Sequence, residues 1–460
     1  MAPALAPALA PAHDGRAPVA AVVRRGRGGP WQAGAVPSLA ADLAFRGLVH
    51  QITDDGLPAL LDTERLTGYI GFDPTADSLH VGHLVQVCNL RRLQLAGHRP
   101  IALAGGGTGM IGDPGGKSEE RQLLSDDELA ANLTAVRAQL ERFIDFSAGE
   151  ASALLLDNGA WLRRLPLVDF LRDIGKHFTV NQMVAKESVR ARLERPEHGI
   201  SFTEFSYMLL QAYDFLHLFD EYGCNLQMGA SDQWGNITMG IELIRKVRRA
   251  EAYGLTTPLV LKADGTKFGK TESGTVWLDA RRTSPFRLYQ FFLRAEDADV
   301  GRYLRYFTFL THEEIAALDE ATATRPERRQ AQHALAAEVT ALVHGKQETA
   351  RAEAASAALY TEAISSLDED TLLDVCAEAP SSTLPRSILD GGYALVDALA
   401  ASGLVGSKTQ ARTTLAQGGA YLNNRRVEDA EARIERGDLL FDHYALLRRG
   451  RRDYHLVRFE

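Results

Sequence analysis

The amino-acid sequence predicts an α/β protein with a Rossmann-like, doubly wound parallel sheet, followed by an α-helical domain and a small α+β domain. Between residues 39 and 257, short apolar runs alternate with segments of helical periodicity. Residues 285–365 are rich in Ala and Glu with a helical pattern, and residues 391–460 combine a helix with short strands. Alternating strands and helices favour parallel strands covered by helices. We expect residues 258–284 to form a mobile loop, and residues 366–390, enriched in Asp, Glu, Ser and Pro, to form a linker.

The first clear strand–helix–strand unit lies near residue 70. Thr67–Phe72 is a short apolar run that predicts a strand. A helix is predicted from about Leu79, with its apolar residues on one face, and Gly97 ends it. Pro100–Ala104 predicts the next buried strand. Two strands joined by one helix in this way are the unit of a parallel sheet.

Two later segments carry helix start signals. Ser201 and Glu204 form a capping-box pattern for a helix that extends to about Tyr222. Ser407 and Gln410 repeat that pattern near the end of the chain, and this helix ends before two glycines. A strand over residues 420–423 and an Asn-Asn turn are expected to follow.

Length and charge suggest a modular protein. The 460 residues are enough for two or three domains. The net charge is −9, but residues 391–460 contain 11 basic and 9 acidic residues, against 40 and 51 in residues 1–390. A basic tail on an acidic body is typical of an appended nucleic-acid-binding module, and a solvated surface with a chance asymmetry would have the same signature.

The cysteines and the apolar pattern restrict the compartment. The three cysteines are scattered and odd in number, which argues against a disulfide framework and for a reducing, cytoplasmic compartment. We expect no membrane span and no metal site, because no apolar run is long enough and no Cys/His cluster has zinc-ligand spacing. Residues 1–38 are rich in Ala, Pro, Gly and Arg and are expected to be disordered, either as a transit peptide or as an extended start.

A glycine-rich segment near residue 110 resembles two nucleotide-binding motifs but does not meet the requirements of either. Gly107–Gly112 matches GxGxxG after a strand, but Asp113-Pro-Gly-Gly follows immediately, so no helix can begin there. Gly116-Lys-Ser also resembles the end of a P-loop, yet Ile111 occupies the position of the required glycine. We predict a tight turn that aims Asp113 into a pocket.

The strongest chemical signal is the string Tyr69–His83, YIGFDPTADSLHVGH, which connects a strand to the start of a helix. Such a position binds anions through backbone N–H groups and the helix dipole. His80 and His83 lie on one side of the first turn and can donate to phosphate oxygens. Gly82 lets a flat base approach the backbone. This arrangement predicts a nucleotide site.

A lysine-containing loop and a polar helix stripe complete the candidate site. Lys267-Phe-Gly-Lys270-Thr follows a natural turn, and two ammonium groups on a loop can close over a triphosphate. Tyr207, Gln211 and Asp214 fall on one face of an otherwise apolar helix, so they predict either a buried polar network or a polar ligand. The segment Gly229–Asn236 lies between a strand and a helix, where α/β sheets place ligand loops.

These motifs resemble a known family. His80-Val-Gly-His83 resembles the HIGH motif of class I aminoacyl-tRNA synthetases, and the longer string GFDPTADSLHVGHL is similar to that of the bacterial tyrosyl enzymes. The KFGKT segment resembles the tyrosyl form of the second class I motif. The likeness covers about residues 45–460. Two positions depart from it, since Ile70 replaces a common cysteine, which removes one ribose contact, and Val81 replaces Ile.

The resemblance implies a role for each site residue. Tyrosine is expected to be held by Tyr69 and Asp214 at its phenol hydroxyl, by Asp113, Tyr207 and Gln211 at its ammonium, and by Gln233 near its carboxylate. ATP is expected to contact Gly71, Asp73, Thr75, His80, Gly82, His83, Asp232, Lys267 and Lys270, with Lys117 and Arg121 as further catalytic candidates.

The same resemblance covers the tail and the partners. Residues from Ser407 onward resemble an RNA-binding module shared with a small-subunit ribosomal protein, with Lys408, Arg412, Arg425 and Arg426 toward RNA. Further arginines are expected to extend that surface: Arg448, Arg449, Arg451 and Arg452. The implied activity is formation of tyrosyl-adenylate from tyrosine and ATP with Mg²⁺, then transfer to tRNA(Tyr), by a homodimer. No prosthetic group is implied.

Two other interpretations share part of this pattern. A tryptophanyl synthetase has the same architecture, but Tyr69 with Asp214 suits a phenol. A catalytically silent RNA-binding relative would keep the tail and lose the phosphate motifs, which are intact here.

Overall fold

The computed structural model describes residues 38–113, 124–186, 189–190, 193, 199–266, 268–271, 274–358, 361–377, 379–450 and 453–460. Lys117, Arg121, Lys267, Arg451 and Arg452 lie outside these ranges, and only the backbone of Lys270 is described. The expectation of a disordered extension over residues 1–38 also falls outside them, apart from Ser38, which caps the first helix.

A six-stranded sheet organises the first part of the protein. Its strands are β1 (Gln51–Ile52), β2 (Thr67–Phe72), β3 (Arg99–Ala104), β4 (Leu154–Asp157), β5 (Leu226–Ala230) and β6 (Tyr253–Thr257). The order is β1-β6-β5-β2-β3-β4, and all neighbours are parallel except β1, which is antiparallel to β6. The predicted parallel sheet is confirmed. From β2 the chain adds β3 and β4 on one side, and it then adds β5 and β6 on the other, so the strand order reverses direction between β2 and β5. Open α/β sheets bind ligands at the carboxyl ends of the strands that flank such a point.

Helices cover both faces of this sheet. They are α1 (Leu39–Phe45), α2 (Leu57–Thr63), α3 (Val81–Leu95), α4 (Asp126–Leu140), α5 (Gly159–Leu162), α6 (Leu167–Asp169), α7 (Val180–Val184), α8 (Phe202–Tyr222) and α9 (Trp234–Arg248), with a π-helical turn at Phe170–Ile174. Side chains of α3 and α4 pack with Ile70 and Ala102 on one face, and those of α8 and α9 pack with Tyr69 and Ile101 on the other. Strand residues alternate between the two faces, so neighbours in sequence enter different cores.

Of the two capping boxes predicted for the later helices, the serine cap is present at each, and the Ser407 side chain accepts from the Gln410 N–H over 3.2 Å. The Ser201 side chain accepts a hydrogen bond from the Glu204 N–H, and Gly223 ends α8 in the left-handed conformation, with φ +63°. The helix expected from Leu79 begins at Val81, because His80 has an extended backbone and serves as its cap.

Helices dominate the middle of the chain. They are α10 (Pro285–Leu293), α11 (Asp297–Phe307), α12 (His312–Thr324), α13 (Gln330–His344) and α14 (Lys346–Ala358), and their buried residues continue the core beneath α3. A short hairpin of β7 (Lys270–Thr271) and β8 (Gly274–Thr275) precedes them.

The described residues of the C-terminal part form a five-stranded sheet, a two-stranded sheet and three helices. Its elements are α15 (Glu369–Cys376), β9 (Ser381–Leu384), β10 (Tyr393–Ala394), α16 (Leu395–Ala401), α17 (Lys408–Ala416), β11 (Ala420–Leu422), β12 (Arg425–Val427), β13 (Arg433–Ile434), β14 (Tyr444–Arg449) and β15 (Asp453–Phe459). The sheet order is β12-β11-β14-β15-β9, and β10 pairs with β13. The expected Asn-Asn turn joins β11 to β12, with Asn423 and Asn424 at φ +50° and +62°.

The segment 366–390, expected as a linker, contains ordered elements. Helix α15 lies within it, and β9 runs parallel to β15 as an edge strand of the C-terminal sheet. Leu372 and Cys376 of α15 are buried against Tyr444, Leu446 and Leu456. The segment is polar because it forms an edge strand and a half-exposed helix. The few apolar residues of the helix make its packing contacts. Within the described part of the chain, no helix is both long and apolar enough to cross a bilayer.

Candidate active site

The turn at His80 and His83 presents two imidazoles at the N-terminus of α3. The Gly82 N–H donates to His80 Nδ1 over 3.1 Å, and the His80 N–H donates to His83 Nδ1 over 3.3 Å. The rings stack with centroids 3.8 Å apart. A neutral imidazole that accepts at Nδ1 carries its proton on Nε2, so each ring is a donor at that atom. Both donors lie where the helix dipole favours an anion.

Gly82 has a local steric reason to be glycine. A Cβ at this position would lie 2.8 Å from the His80 ring, closer than real Cβ atoms approach. The position of the capping imidazole therefore requires glycine here, whatever approaches the backbone from outside.

The lysine motif lies against this turn. Backbone bonds run from the Val81 N–H to the Val276 carbonyl, 3.0 Å, and from the Val276 N–H to the Gly269 carbonyl, 3.1 Å. Gly269 has φ +84°, and a Cβ there would be 2.7 Å from a Val81 methyl. Phe268 is buried among aromatic rings, with Tyr303 and Phe307 at centroid distances of 4.7 and 5.2 Å. Phe268 and Gly269, the two residues between the lysines, thus hold the loop against the N-terminus of α3.

Asp214, on α8, is buried among polar side chains. Its side chain is 1% exposed and accepts hydrogen bonds from Asn158 Nδ2, 2.8 Å, and Trp161 Nε1, 2.7 Å. Burial raises the pKa of Asp214 to about 7, although both hydrogen bonds favour the ionised form. The carboxylate is therefore oriented by two donors in a place where it is costly to ionise.

Tyr69 extends from β2 toward the same buried region. Its ring centroid is 5.3 Å from that of Phe215, and the residue is 1% exposed. Its hydroxyl is buried and has no hydrogen-bond partner among the described residues. Burial and the nearby Asp214 charge hold the pKa of Tyr69 well above its usual value, so it stays protonated. A buried, unpaired hydroxyl beside a buried carboxylate is expected where a polar ligand completes the bonding.

Asp73 connects the loop after β2 to α8. It accepts from the Tyr207 hydroxyl over 2.8 Å and from Thr108 Oγ1 over 2.7 Å. Burial and the charges of Asp73 and Asp113 raise the pKa of Tyr207 well above its usual value. The Tyr207 hydroxyl, expected to face an ammonium group, thus donates a hydrogen bond to Asp73.

A chain of amides links the remaining polar residues of the stripe. Gln233 Nε2 donates to Asp113, 2.7 Å, and Gln211 Nε2 donates to Gln233 Oε1, 3.2 Å. Asn236 Nδ2 then donates to Gln211 Oε1 over 2.9 Å. Asp113, Gln211 and Gln233, predicted from three separate segments, are therefore brought together at the ends of β3 and β5.

The other predicted nucleotide residues lie at this same edge of the sheet. Gly71 is exposed on β2 and has open space where a Cβ would be. Thr75 is exposed on the loop between β2 and α3, and Asp232 is exposed directly after β5. Among the described residues, no three His, Cys, Asp or Glu side chains are grouped as metal ligands.

The glycine-rich motif forms the tight turn that was predicted. Thr108–Met110 is a single 3₁₀ turn, and the Gly107 N–H donates to Asn158 Oδ1 over 2.7 Å. A Cβ at Gly105 would lie 2.1 Å from Asp73, so this turn needs glycine to approach the carboxylate.

Four polar residues of the site were not predicted: Thr108, Asn158, Trp161 and Asn236. Asn158 and Trp161 follow the apolar run of β4, and polar residues at the carboxyl end of a parallel strand were a signal that could have found them.

The predicted RNA-facing residues of the C-terminal part are exposed but mostly paired. Lys408 contacts Asp397 at 2.9 Å, Arg425 contacts Glu362 at 3.6 Å and Arg426 contacts Glu428 at 3.2 Å. Arg412 is exposed on α17. The suggestion that Arg448 extends this surface is wrong. This residue is 5% exposed, and its guanidinium lies 3.7 Å from the centroid of the Tyr421 ring.

Comparison with known proteins gives consistent matches over the chain. Residues 61–361 match the family model described as tRNA synthetases class I (W and Y), and residues 374–457 match that of the tyrosine–tRNA ligase SYY-like C-terminal domain. The tyrosine–tRNA ligase of Roseiflexus castenholzii is 58% identical over 418 residues, 91% of this chain and 98% of the relative. That of Geobacillus stearothermophilus is 51% identical, over 92% of this chain and 99% of the relative.

A solved structure shares the fold. A C-terminally truncated mitochondrial tyrosyl-tRNA synthetase of Aspergillus nidulans aligns with a TM-score of 0.62 and 34% identity, over 68% of this chain and 92% of the other. The chain therefore belongs to the class I tRNA synthetases and, within them, to the family of bacterial tyrosine–tRNA ligases.

Proposed function

We propose that this protein activates L-tyrosine with ATP to tyrosyl-adenylate and transfers the tyrosyl group to the 3′ end of tRNA(Tyr). The proposal rests on one observation: two features lie next to each other at one edge of the sheet. One is an anion site at the α3 N-terminus, with His80 and His83. The other is a buried polar region where the Tyr69 hydroxyl, which has no hydrogen-bond partner among the described residues, lies near the Asp214 carboxylate.

The phenol of tyrosine completes the bonding of that pocket. Asp214 accepts a hydrogen bond from the phenol hydroxyl, and the Tyr69 hydroxyl donates one to the phenol oxygen. The two donors Asn158 and Trp161 support this role, because they hold the Asp214 carboxylate in one orientation. A tryptophan side chain has no hydroxyl to pair with both groups, which disfavours the tryptophanyl alternative.

The amide chain binds the amino-acid backbone. Asp113, Gln211 and Tyr207 surround the ammonium group, with Asp73 as the acceptor behind Tyr207, and Gln233 faces the carboxylate. The support is their hydrogen-bonded arrangement next to the Asp214 pocket. A carboxylate among neutral amides suits a ligand that carries one positive charge.

ATP occupies the edge beside this pocket. His80 and His83 donate to its phosphates with Thr75, and Lys267 and Lys270 approach from the lysine motif. Gly71, Asp73, Gly82 and Asp232 line the nucleoside side. Lys117 and Arg121 remain candidates for the same phosphates. Mg²⁺ enters with ATP as part of the substrate.

Catalysis rests on positioning and electrostatics. The tyrosine carboxylate attacks the α-phosphorus, and pyrophosphate leaves. No general base is required, since the nucleophile is already ionised. The imidazole donors and lysines therefore act where charge develops on the phosphates in the transition state. The terminal ribose of tRNA then attacks the adenylate.

The surface supports two partners. Four apolar side chains are each more than 60% exposed, and exposed apolar residues of this kind suit a homodimer interface: Leu167, Val168, Val180 and Phe202. The C-terminal domain, residues 391–460, binds tRNA through Lys408, Arg412, Arg425 and Arg426. With tRNA as partner and all three cysteines buried as free thiols, we place the protein in the cytoplasm.

One assay tests the proposal. Exchange of pyrophosphate into ATP is measured with tyrosine, with tryptophan and with neither. Exchange driven by tyrosine alone supports the proposal. Exchange driven by tryptophan would make the protein a tryptophanyl enzyme, and no exchange with either amino acid would make it an RNA-binding relative.

A further inference from the structure

A cluster of four side chains joins the strand after the lysine motif to the turn that contains His80. The cluster, named here the Trp277 cluster, consists of Asp77, His80, Trp277 and Arg282. None of the nucleotide motifs includes Trp277 or Arg282.

Backbone pairing brings Trp277 to His80. The two residues face each other in an antiparallel bridge, flanked by the Val81 N–H to Val276 carbonyl bond, 3.0 Å, and the Leu278 N–H to Leu79 carbonyl bond, 2.8 Å. The indole meets the His80 ring edge-on, with centroids 6.1 Å apart and planes at 62°. Such an arrangement is a favoured aromatic geometry.

Arg282 holds the indole from its other side. Its guanidinium carbon is 4.7 Å from the Trp277 ring centroid, and its Nη2 is 2.5 Å from Asp77 Oδ1. The backbone N–H of Trp277 also donates to the buried Thr283 Oγ1 over 3.0 Å. Asp77 precedes His80 by three residues, so the ion pair closes a ring of contacts between the two segments.

We propose that Trp277 is a positioning residue for adenylate formation, and that Arg282 and Asp77 hold it in place. Trp277 fixes the His80 ring and, with it, the donor that faces the nucleotide phosphates. It also fixes the lysine motif, because the Gly269 carbonyl accepts from Val276, the residue before Trp277. The Trp277 side chain thus adds to the backbone bonds and to the packing of Phe268 and Gly269 that set the distance between the two phosphate-binding motifs. This inference rests on the proposed function.

The geometry explains why positioning is needed at this point. Misplacement of a donor by a fraction of an ångström is costly when catalysis consists of holding charge in place. His80 already bonds Gly82 through Nδ1, but that bond leaves the ring free to tilt. The Trp277 ring, a second aromatic neighbour of His80 besides the stacked His83 ring, limits this tilt.

The test compares Trp277→Ala, Trp277→Phe and Arg282→Ala with Arg281→Ala. Arg281 is a matched control, since it is the adjacent arginine, is 78% exposed and pairs with Asp279 instead. Tyrosine-dependent pyrophosphate exchange and fluorescence titration with tyrosine are measured for each. Trp277→Ala is expected to lower kcat about tenfold or more, with the tyrosine Kd within about twofold of wild type. Phe is expected to restore most of the rate, because its ring edge can still meet His80.

Arg282→Ala is expected to lower kcat about threefold, and Arg281→Ala is expected to leave it unchanged. Backbone hydrogen exchange gives a second readout, since the N–H groups of Val81 and Leu278 should exchange faster in Trp277→Ala and Arg282→Ala but not in Arg281→Ala. An unchanged kcat in Trp277→Ala overturns the inference, as does an equal loss of tyrosine affinity or equal losses in the Phe and Ala variants. If wild type itself shows no exchange, the proposed function fails, and the hydrogen-exchange result still decides whether the cluster holds the two segments together.

Discussion

At the scale of single residues, Asp214 shows how burial and hydrogen bonding oppose each other at a recognition site. Removing a carboxylate from water favours its protonated form, and two N–H donors favour the ionised one. Burial dominates, so the pKa of Asp214 rises to about 7. A phenol hydroxyl that donates to this oxygen would add a third hydrogen bond and shift the balance toward the carboxylate. Ligand binding and ionisation are therefore coupled at this residue.

Replacing Asp214 with Asn should weaken tyrosine binding and reduce discrimination against phenylalanine. The Asn amide offers one acceptor oxygen, so at least one of the buried donors Asn158 and Trp161 loses its partner. An unpaired buried donor costs about 1–3 kcal/mol, so tyrosine affinity should fall about 10- to 100-fold. Fluorescence titration measures it, with Trp161 close to the change.

Asp220→Asn is the control for that substitution, because Asp220 lies on the same helix and pairs with Arg248 at the surface, 2.7 Å. It should leave both affinities unchanged. Equal ratios of tyrosine to phenylalanine activation in wild type and Asp214→Asn would show that the carboxylate does not recognise the phenol.

At the scale of elements, helix α3 connects the nucleotide site to the helical domain. Its N-terminus holds His80 and His83, and Arg92 near its C-terminus is 4% exposed. The Arg92 guanidinium donates to the carbonyls of Arg305, Tyr306 and Thr308, each at 3.0–3.1 Å, at the end of α11. A buried guanidinium that donates to these last carbonyls fixes one helix against the other, and Arg46 shares two of the acceptors, the carbonyls of Arg305 and Thr308.

The lysine motif should act on the rate and not on tyrosine binding. Lys267→Ala and Lys270→Ala should lower the rate of adenylate formation about 100- to 1,000-fold, because each removes a donor to the departing pyrophosphate. The tyrosine Kd should change less than about threefold, since the motif lies at the α3 N-terminus, away from Asp214. Single-turnover adenylate formation and tyrosine titration measure the two quantities. Lys262→Ala, in the turn before the motif, serves as control, and a parallel loss of affinity and rate would assign these lysines another role.

His344, the last residue of α13, should make stability depend on pH. Burial and the nearby Arg142 charge lower its pKa to about 4, against 6.5 as the ordinary value. The helix dipole favours the protonated form by less than this shift. Between pH 6.5 and 4 the unfolded chain therefore binds a proton that the folded chain refuses, so the free energy of unfolding falls as pH falls, by about 2 kcal/mol.

His344→Gln should remove that component. Urea unfolding of wild type and variant at pH 7 and pH 4.5 measures it, with exposed His443→Gln as control. The variant should lose about 2 kcal/mol less than wild type between the two pH values. Identical pH dependence in all three proteins would place the acid sensitivity elsewhere.

At the scale of the whole molecule, the C-terminal domain packs directly on the helical domain. Asn424, in the hairpin turn, donates to the carbonyls of Ala358 and Thr361 at 3.4 and 3.0 Å, and the Tyr444 hydroxyl donates to Glu369 at 3.0 Å. Ile364, Leu372 and Cys376 share a small apolar core with β14 and β15. Leu367 and Val375 also pack against the core of the helical domain, so α15, in the segment expected as a linker, lies between the two parts.

Removing residues 361–460 should leave tyrosine activation within about threefold of wild type and reduce tRNA charging at least 100-fold, because the described nucleotide and tyrosine residues all precede this cut. Removing only residues 386–460 should have the same effect on both reactions but lower the melting temperature, since Leu372 and Cys376 lose their cover. Exchange and charging assays measure the reactions, and thermal unfolding measures stability. A truncated protein that charges tRNA at the full-length rate would contradict the assignment of RNA binding to this domain.

The sequence by itself determined the local elements of this protein and the class of its chemistry. The turn at His80, the capped helix from Ser201 and the Asn-Asn hairpin each depend on residues only a few positions apart, and such short-range rules act before any tertiary contact forms. The anion site follows from this local geometry, because a helix N-terminus carries its donors wherever it lies.

Only the tertiary structure decided which distant side chains meet. Asn158 reaches Asp214 across 56 positions of sequence, and Thr108 reaches Asp73 across 35. The same holds for the strand in the expected linker, whose polar residues could join a sheet only once β15 was in place beside them. Hydrogen bonding in a buried pocket depends on which groups the sheet order brings within about 3 Å of each other. The order of residues along the chain does not by itself determine which distant groups come that close.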